Sequence, residues 1–153
     1  KLVIVGRGHM KKKLLSIADE LGVRQSLFIQ SAMSFEDLAQ LYRSADLVVF
    51  PSYYEGQGLI PLEALASGTP VVTVDQAPLT EMIDDTVGGL FDRGDFVGLA
   101  KAVCDELNGH VKRVKKAKAG RKRVLENFTL EGQAESYEDV FLRSVQKRRW
   151  RDS

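Results

Sequence analysis

The sequence predicts an α/β protein, a Rossmann-like parallel sheet with helices on both faces and a long C-terminal helix. Three observations predict it. Short apolar runs rich in valine, such as Leu2-Val3-Ile4-Val5 and Val71-Val72-Thr73-Val74, read as strands buried on both faces. Between them lie stretches whose apolar residues recur every three or four positions, the helical spacing. The two kinds alternate along the chain, as parallel strands joined by helical crossovers require.

Each element follows in order. Leu2-Val3-Ile4-Val5 is a buried strand, and Gly6-Arg7-Gly8-His9 turns out of it. Leu14, Ile17, Ala18 and Leu21 mark one face of a helix that Gly22 closes. Leu27-Phe28-Ile29 is the second strand. Ser34 with Asp37 resembles a capping box, ahead of a helix whose stripe is Phe35, Leu38, Leu41 and Tyr42. Residues 46–50 form the third strand and 70–74 the fourth, the latter introduced by Gly68-Thr69-Pro70. A short helix is expected over 78–84 and a last, edge strand at Gly89-Leu90-Phe91. The helix over 96–107 should turn Leu99, Ala100, Val103 and Leu107 inward. That over 111–128 has Val114, Ala117, Val124 and Leu125 as apolar positions and Gly120 as a weak point. Residues 130–150 make the terminal helix, with Ala134, Tyr137, Val140, Phe141 and Val145 as its stripe. Residues 1–128 are read as one domain and 129–153 as its terminal helix.

Composition narrows the class. A chain of 153 residues, 44% hydrophobic and 28% charged, suits one globular domain with a sizeable core. No apolar run approaches the roughly 18–20 residues that span a bilayer, and Lys1 leads into a strand rather than a signal-like segment. The single Cys104 excludes an internal disulfide, fits a reducing, cytoplasmic compartment, and is expected to be a buried structural thiol. The net charge of +1 hides segregation: eight basic residues and no acidic one lie between Lys112 and Arg123. Two readings of that run stand side by side, a solvated helix and an electrostatic contact with an anionic membrane surface or a nucleic acid. No nucleic-acid partner is expected, because interleaved aromatics are absent. Trp150, among arginines, is read as part of a frayed tail.

The chemistry concentrates in Tyr54-Glu55-Gly56-Gln57-Gly58-Leu59-Ile60-Pro61-Leu62-Glu63, where the third strand ends and a helix begins. Pro61 fits the first turn of that helix, Leu62, Leu65 and Ala66 give its spacing, and Gly68 its stop. Gly56 and Gly58 allow a close backbone approach and leave the N–H groups of Gly58, Leu59 and Ile60 pointing at a ligand. A strand, a glycine loop and a helix N-terminus together form an anion site, and the flanking carboxylates Glu55 and Glu63 are free to hold hydroxyls. That combination suggests a sugar nucleotide. Glu55 and Glu63 as an acid/base pair for glycoside hydrolysis is the competing reading. His9, beside the first strand's exit, is placed to touch a phosphate or sugar oxygen. Ligands of open α/β sheets sit at the carboxyl ends of the strands, so the loops 6–10, 31–34, 51–58 and 75–80 are expected to converge. Neither His9 nor His110 has partners spaced for a metal, so none is expected. Gly6-Arg7-Gly8 lacks the third glycine and the acidic residue of a dinucleotide fingerprint.

These residues resemble a family. Leu2-Val3-Ile4-Val5-Gly6-x-Gly8, Tyr42-Arg43-Ser44-Ala45-Asp46, Pro51-Ser52-x-Tyr54-Glu55-Gly56-x-Gly58-Leu59 and Glu63-Ala64-Leu65-Ala66-Ser67-Gly68-Thr69-Pro70-Val71-Val72 are similar to the group 1 (family 4) glycosyltransferases. These are retaining enzymes of the two-domain GT-B fold, and the resemblance extends through Glu81, Gly89-Leu90-Phe91 and Phe128. It implies that the chain is the donor-binding half, taking a UDP-, GDP- or ADP-sugar with no other cofactor and serving hexosyl transfer to a glycan or lipid-linked acceptor. Glu63 resembles the second glutamate of the E-x7-E element, which holds the ribose hydroxyls. Glu55 resembles the first, placed at the donor sugar and its diphosphate. Gly58 and Leu59 would meet sugar and phosphates, while Gly6 and Gly8 would open the neighbouring loop. Gln57 stands where the family often has an aromatic, and Ser31 where a glycine is usual. The family's Gly-Arg and Lys-Gly elements and its acceptor domain would precede Lys1, and Arg7 follows the wrong strand to replace that arginine. The isolated chain is therefore expected to bind donor weakly and to transfer nothing, with a peripheral place on the cytoplasmic membrane face for the whole protein. A sugar-nucleotide 2-epimerase and a non-catalytic Rossmann-like module remain the alternatives.

Overall fold

The computed structural model describes residues 1–149, with side chains through Val145. The chain forms two compact units, Lys1–Leu41 and the remainder from Tyr42 on. The expectation for Trp150 lies outside the described residues.

In the first unit, β1 (Leu2–Val5) pairs in parallel with β2 (Leu27–Gln30), in register Leu2 with Leu27. The helix α1 (Lys11–Glu20) connects them. Gly22, at φ +67, ends α1: its N–H donates to the Asp19 carbonyl (3.0 Å) and that of Val23 to the Ala18 carbonyl (2.9 Å). This is the Schellman arrangement, which satisfies carbonyls the helix leaves orphaned. The expected burial of β1 does not hold. Leu2 is 54% exposed, and Val3 and Val5 are exposed too. β1 pairs only with β2, so the strands form a two-stranded sheet instead of joining the three others in one. One helix cannot cover both faces of such a ribbon.

The helix α2 (Phe35–Ser44) starts with Ser34 Oγ accepting from the Asp37 N–H at 3.1 Å, half of the expected capping box. In the second unit β3 (Val48–Phe50), β4 (Val71–Val74) and β5 (Gly88–Phe91) form a parallel sheet of order β3-β4-β5, with β5 at the edge as expected. β4 lies in the middle and is wholly buried. Its residues alternate between two cores. Val71 packs with Ala64 and Leu65 of α3 (Leu59–Ala66), with Leu79 and Met82 of α4 (Leu79–Met82), and with Val124 of α6 (His110–Asn127). Val72 and Val74 face Phe91 and the α5 (Phe96–Leu107) residues Leu99, Ala102 and Val103. Helices therefore cover both faces of this sheet, as the continuous apolar run implied. The long α7 (Leu130–Arg149) ends the described chain.

Three expectations are corrected here. On α5 Glu106 is buried and Leu99, Ala102 and Val103 are half-buried, while Ala100 and Leu107 face solvent. Cys104 is exposed, because it lies on the outer side of that helix. The expected helix over 78–84 is a single turn, since Ile83 is already extended at φ −115 and ψ 128.

The largest departure concerns α6. Half of its basic run turns inward. Arg113 donates to the Glu106 (3.3 Å) and Leu107 (2.7 Å) carbonyls at the end of α5 and to Asp46 at 3.0 Å. Arg121 donates to the Ala66 carbonyl at the end of α3 (2.7 Å), and Arg123 to the Met82 carbonyl at the end of α4 (2.9 Å). Arg123 also bonds Asp84 at 2.8 Å and, with Thr86, holds that carboxyl down at about 2. Lys116, itself buried, lies 2.6 Å from Glu106 Oε1 and donates to the Gly88 carbonyl at 2.5 Å. Glu106 Oε2 is buried with no partner. Of the expected apolar positions Val124 is in the core and Ala117 is half-buried, but Val114 and Leu125 are exposed, because arginine and lysine share the packing face.

Gly120 is a packing contact rather than a weak point: a Cβ there would stand 2.6 Å from Leu65 Cδ2. Gly→Ala in a helix normally stabilises by about 1 kcal/mol, whereas overpacking a filled core costs about 1–3 kcal/mol. Leu65 is fully buried, so Gly120→Ala is expected to destabilise in urea unfolding, against its helix propensity. Lys116→Met alone strands a buried carboxylate and should cost about 3–5 kcal/mol, most of it recovered in the Lys116→Met/Glu106→Leu double variant. A double variant no more stable than the single would show that the pair is not what holds α6 to α5.

Candidate functional site

In the second unit the parallel strands put three loops on one edge of the sheet, those leaving β3, β4 and β5. The first carries Glu55, Gly56 and Gly58 and leads into α3. Gly58 is the residue preceding that helix, left-handed at φ 80 and ψ 45. It is buried, and a Cβ on it would meet Met82 Cε at 2.5 Å and Leu79 Cδ2 at 3.1 Å. Both backbone and space therefore demand glycine there. Gly56 is different: its φ is not positive and nothing lies within 4 Å of its Cβ position. The fold does not require a glycine at that point.

Leu59 and Ile60 occupy the first two helical positions, where backbone N–H groups have no intrahelical acceptor. Pro61 follows in the same turn, where its missing N–H is harmless. At the far end Gly68 (φ +82) donates to the Leu65 carbonyl at 2.9 Å and Thr69 to that of Ala64 at 3.0 Å. The helix thus stops at Gly68 as its sequence implied.

Glu55 turns back on its own loop. Its Oε1 accepts from the N–H of Gly56 (3.1 Å) and of Gln57 (3.4 Å). Hydrogen bonds from the Gly58 and Gln57 amides, and more weakly from Gly56, lower its pKa, so the group is a carboxylate at neutral pH. Glu63 lies one turn into α3, half-buried, and its Oε2 accepts from the Tyr42 hydroxyl at 3.1 Å. Burial and the Glu63 charge push the Tyr42 phenol up to about 12, so it stays a donor throughout the physiological range.

Sequence reasoning missed the residues that fasten this loop. Gln76, after β4, donates its amide to the Tyr53 carbonyl at 2.9 Å and the Ser52 carbonyl at 3.5 Å. Arg93, after β5, lies over the rings of Tyr53 (5.1 Å) and Tyr54 (4.9 Å), a cation–π arrangement. The strand-end rule pointed to the loop holding Gln76, but no local pattern marks Arg93.

Gly6, Gly8 and His9 belong to the other unit. Gly6 continues the ladder by donating to the Gln30 carbonyl at 2.8 Å, and Gly8 accepts from the Lys11 N–H at 3.4 Å as α1 begins. His9 is exposed in that turn. Arg7 Nε donates to the Ser31 carbonyl at 3.1 Å and ties the loop after β1 to the loop after β2. Among the described residues no group of three or more His, Cys, Asp or Glu is arranged to hold a metal ion, and no helix is long and apolar enough to cross a membrane.

Residues 1–123 match the family model described as glycosyl transferases group 1. The chain belongs to the group 1 glycosyltransferases, and its mixed α/β fold with parallel sheets is that of the C-terminal Rossmann-like domain of GT-B members. It is 43% identical over 91 residues to the uncharacterized glycosyltransferase MJ1607 of Methanocaldococcus jannaschii, covering 60% of this chain and 23% of that protein. A D-inositol 3-phosphate glycosyltransferase of Salinispora tropica is 35% identical over 139 residues, 90% of this chain and 29% of that protein. Sucrose-phosphate synthase of Thermosynechococcus elongatus superposes with a TM-score of 0.82 at 27% identity, over 95% of this chain and 39% of the other. The chain spans only 23% to 29% of the length of these two curated relatives.

The two glycines of the loop should separate cleanly. Gly58→Ala forces a left-handed alanine against Met82 and is expected to lower stability by about 1–2 kcal/mol. Gly56→Ala should leave the melting temperature unchanged. Equal losses in thermal unfolding would mean that Gly56 also carries a backbone constraint.

Proposed function

We propose that this chain is the donor-nucleotide-binding domain of a retaining glycosyltransferase, acting with an acceptor domain elsewhere in the whole protein. The reaction is hexosyl transfer from a UDP-, GDP- or ADP-sugar to a glycan or lipid-linked acceptor. The observation that carries this reading is the start of α3. A left-handed Gly58 aims unpaired first-turn amides out of the sheet edge, an unconstrained Gly56 leaves room above them, and a carboxylate sits on each side.

Each part has a chemical duty. The first-turn N–H groups and the helix dipole suit the donor's diphosphate. Glu63 uses one oxygen for Tyr42 and keeps acceptor capacity for the vicinal hydroxyls of a ribose. Tyr42 fixes the carboxylate's orientation. Glu55 is a carboxylate on a loop held by Gln76 and Arg93; it orients the sugar and stabilises the charge that develops as the glycosidic bond breaks. In front-face transfer with retention the leaving phosphate takes the acceptor's proton, so Glu55 need not be a nucleophile. The amides and the dipole carry the charge, and no metal is invoked.

Titration of the chain with a nucleoside diphosphate, followed by amide NMR, is expected to shift residues 55–63. Silence in that segment with every base would defeat the donor reading. A hydrogen bond to a charged group is worth about 1.5–3 kcal/mol, roughly ten- to a hundredfold in affinity. A ribose diphosphate should therefore bind that much more tightly than its 2′,3′-dideoxy analogue, and Glu63→Ala should abolish the difference. Discrimination that survives Glu63→Ala would move the ribose to another residue.

A further inference from the structure

The cations of α6 divide between two sides of the helix. Arg113, Lys116 and Arg123, with Ala117, Gly120 and Val124 between them, recur every three or four residues on the face that packs inward. The opposite spacing, 111, 114, 115, 118, 122 and 125, holds Val111, Val114, Lys115, Lys118, Lys122 and Leu125, all exposed. Lys122 makes one surface pair with Glu126 at 3.7 Å. Lys115 and Lys118 make no ion pair among the described residues. The three apolar side chains of this face are uncovered as well, Val111 at 69%, Val114 at 42% and Leu125 at 59%.

We propose that this outer face of α6 is a docking surface for an anionic lipid bilayer. Two features choose the partner. Unpaired lysines on long flexible stems complement anionic headgroups and reach sideways to them while their methylenes lie flat. Valine and leucine interleaved at the same level enter the headgroup–acyl boundary, as on interfacial amphipathic helices. A nucleic acid would use the cations but would leave the apolar side chains without a role, and the face carries no aromatic for base stacking. The inward arginines are spent on carbonyls and carboxylates of the fold, so docking engages only the lysines and uncouples from folding. The inference does not depend on the donor site.

Flotation of the full chain with phosphatidylcholine vesicles, with and without phosphatidylglycerol, tests it. Binding is expected only to the anionic vesicles at about 0.1 M salt and should fall steeply by about 0.5 M. The Lys115→Gln/Lys118→Gln/Lys122→Gln variant changes exposed side chains alone and should fold normally by circular dichroism. It should lose about a hundredfold in partitioning, at about fivefold per lysine. Val111→Ser/Leu125→Ser should weaken binding while leaving its salt dependence unchanged. Three results overturn the proposal: no binding to anionic vesicles at low salt, binding that survives the triple lysine substitution, or binding indifferent to the apolar substitutions and displaced by a short RNA. The last would make the face a nucleic-acid surface.

Discussion

The second unit depends on how α6 settles the ends of its neighbours. A helix ends in carbonyls without intrahelical partners and carries partial negative charge there. Arg113, Arg121 and Arg123 bring guanidinium groups to the last carbonyls of α5, α3 and α4 in turn. Three helices that end at different places are thereby tied to one. Lys116 adds a buried link to Glu106 on α5 and to the Gly88 carbonyl on β5. A buried ion pair contributes little net stability against an apolar replacement, but losing one partner leaves a charge in a dry place. What these contacts supply is registry: α6 packs in one orientation because the cations have one set of acceptors.

This arrangement is what holds the candidate site still. α3 is bounded by two glycines in left-handed conformations, Gly58 before it and Gly68 after it, and Arg121 takes the Ala66 carbonyl that the closing turn leaves over. Behind it, Gly120 lets α6 approach Leu65 closely. In front, Gln76 and Arg93 reach from the ends of β4 and β5 to the loop that carries Glu55. The two glutamates consequently differ in setting. Glu63 rises from a helix packed on the core that Val71 shares with α4 and α6, and is oriented by Tyr42, whereas Glu55 rests on the amides of its own loop. A rigid carboxylate suits a ligand part that does not change during reaction, and a loop carboxylate suits one that does.

The family model covers residues 1–123, and the parallel sheet of the second unit has helices on both faces. The chain covers a minor part of the relatives' length.

The sequence by itself determined the elements and their order, because strand runs, helical spacing and glycine stops are local. Gly22 and Gly68 stop their helices where the sequence placed them, and β4 is buried on both faces as its four apolar-rich residues require. The loop with Glu55, Gly58 and Glu63 was legible for the same reason: a helix start after a strand has a local signature. Tertiary structure alone decided which face of α6 packs, since periodicity counts apolar residues and the face mixes Arg113, Lys116 and Arg123 with Ala117, Gly120 and Val124. It likewise decided that Cys104 is exposed, that β1 and β2 pair only with each other, and that Tyr42, Gln76 and Arg93 support the site. Each of those outcomes rests on a partner in another element or on the other side of a helix, where no local pattern reaches.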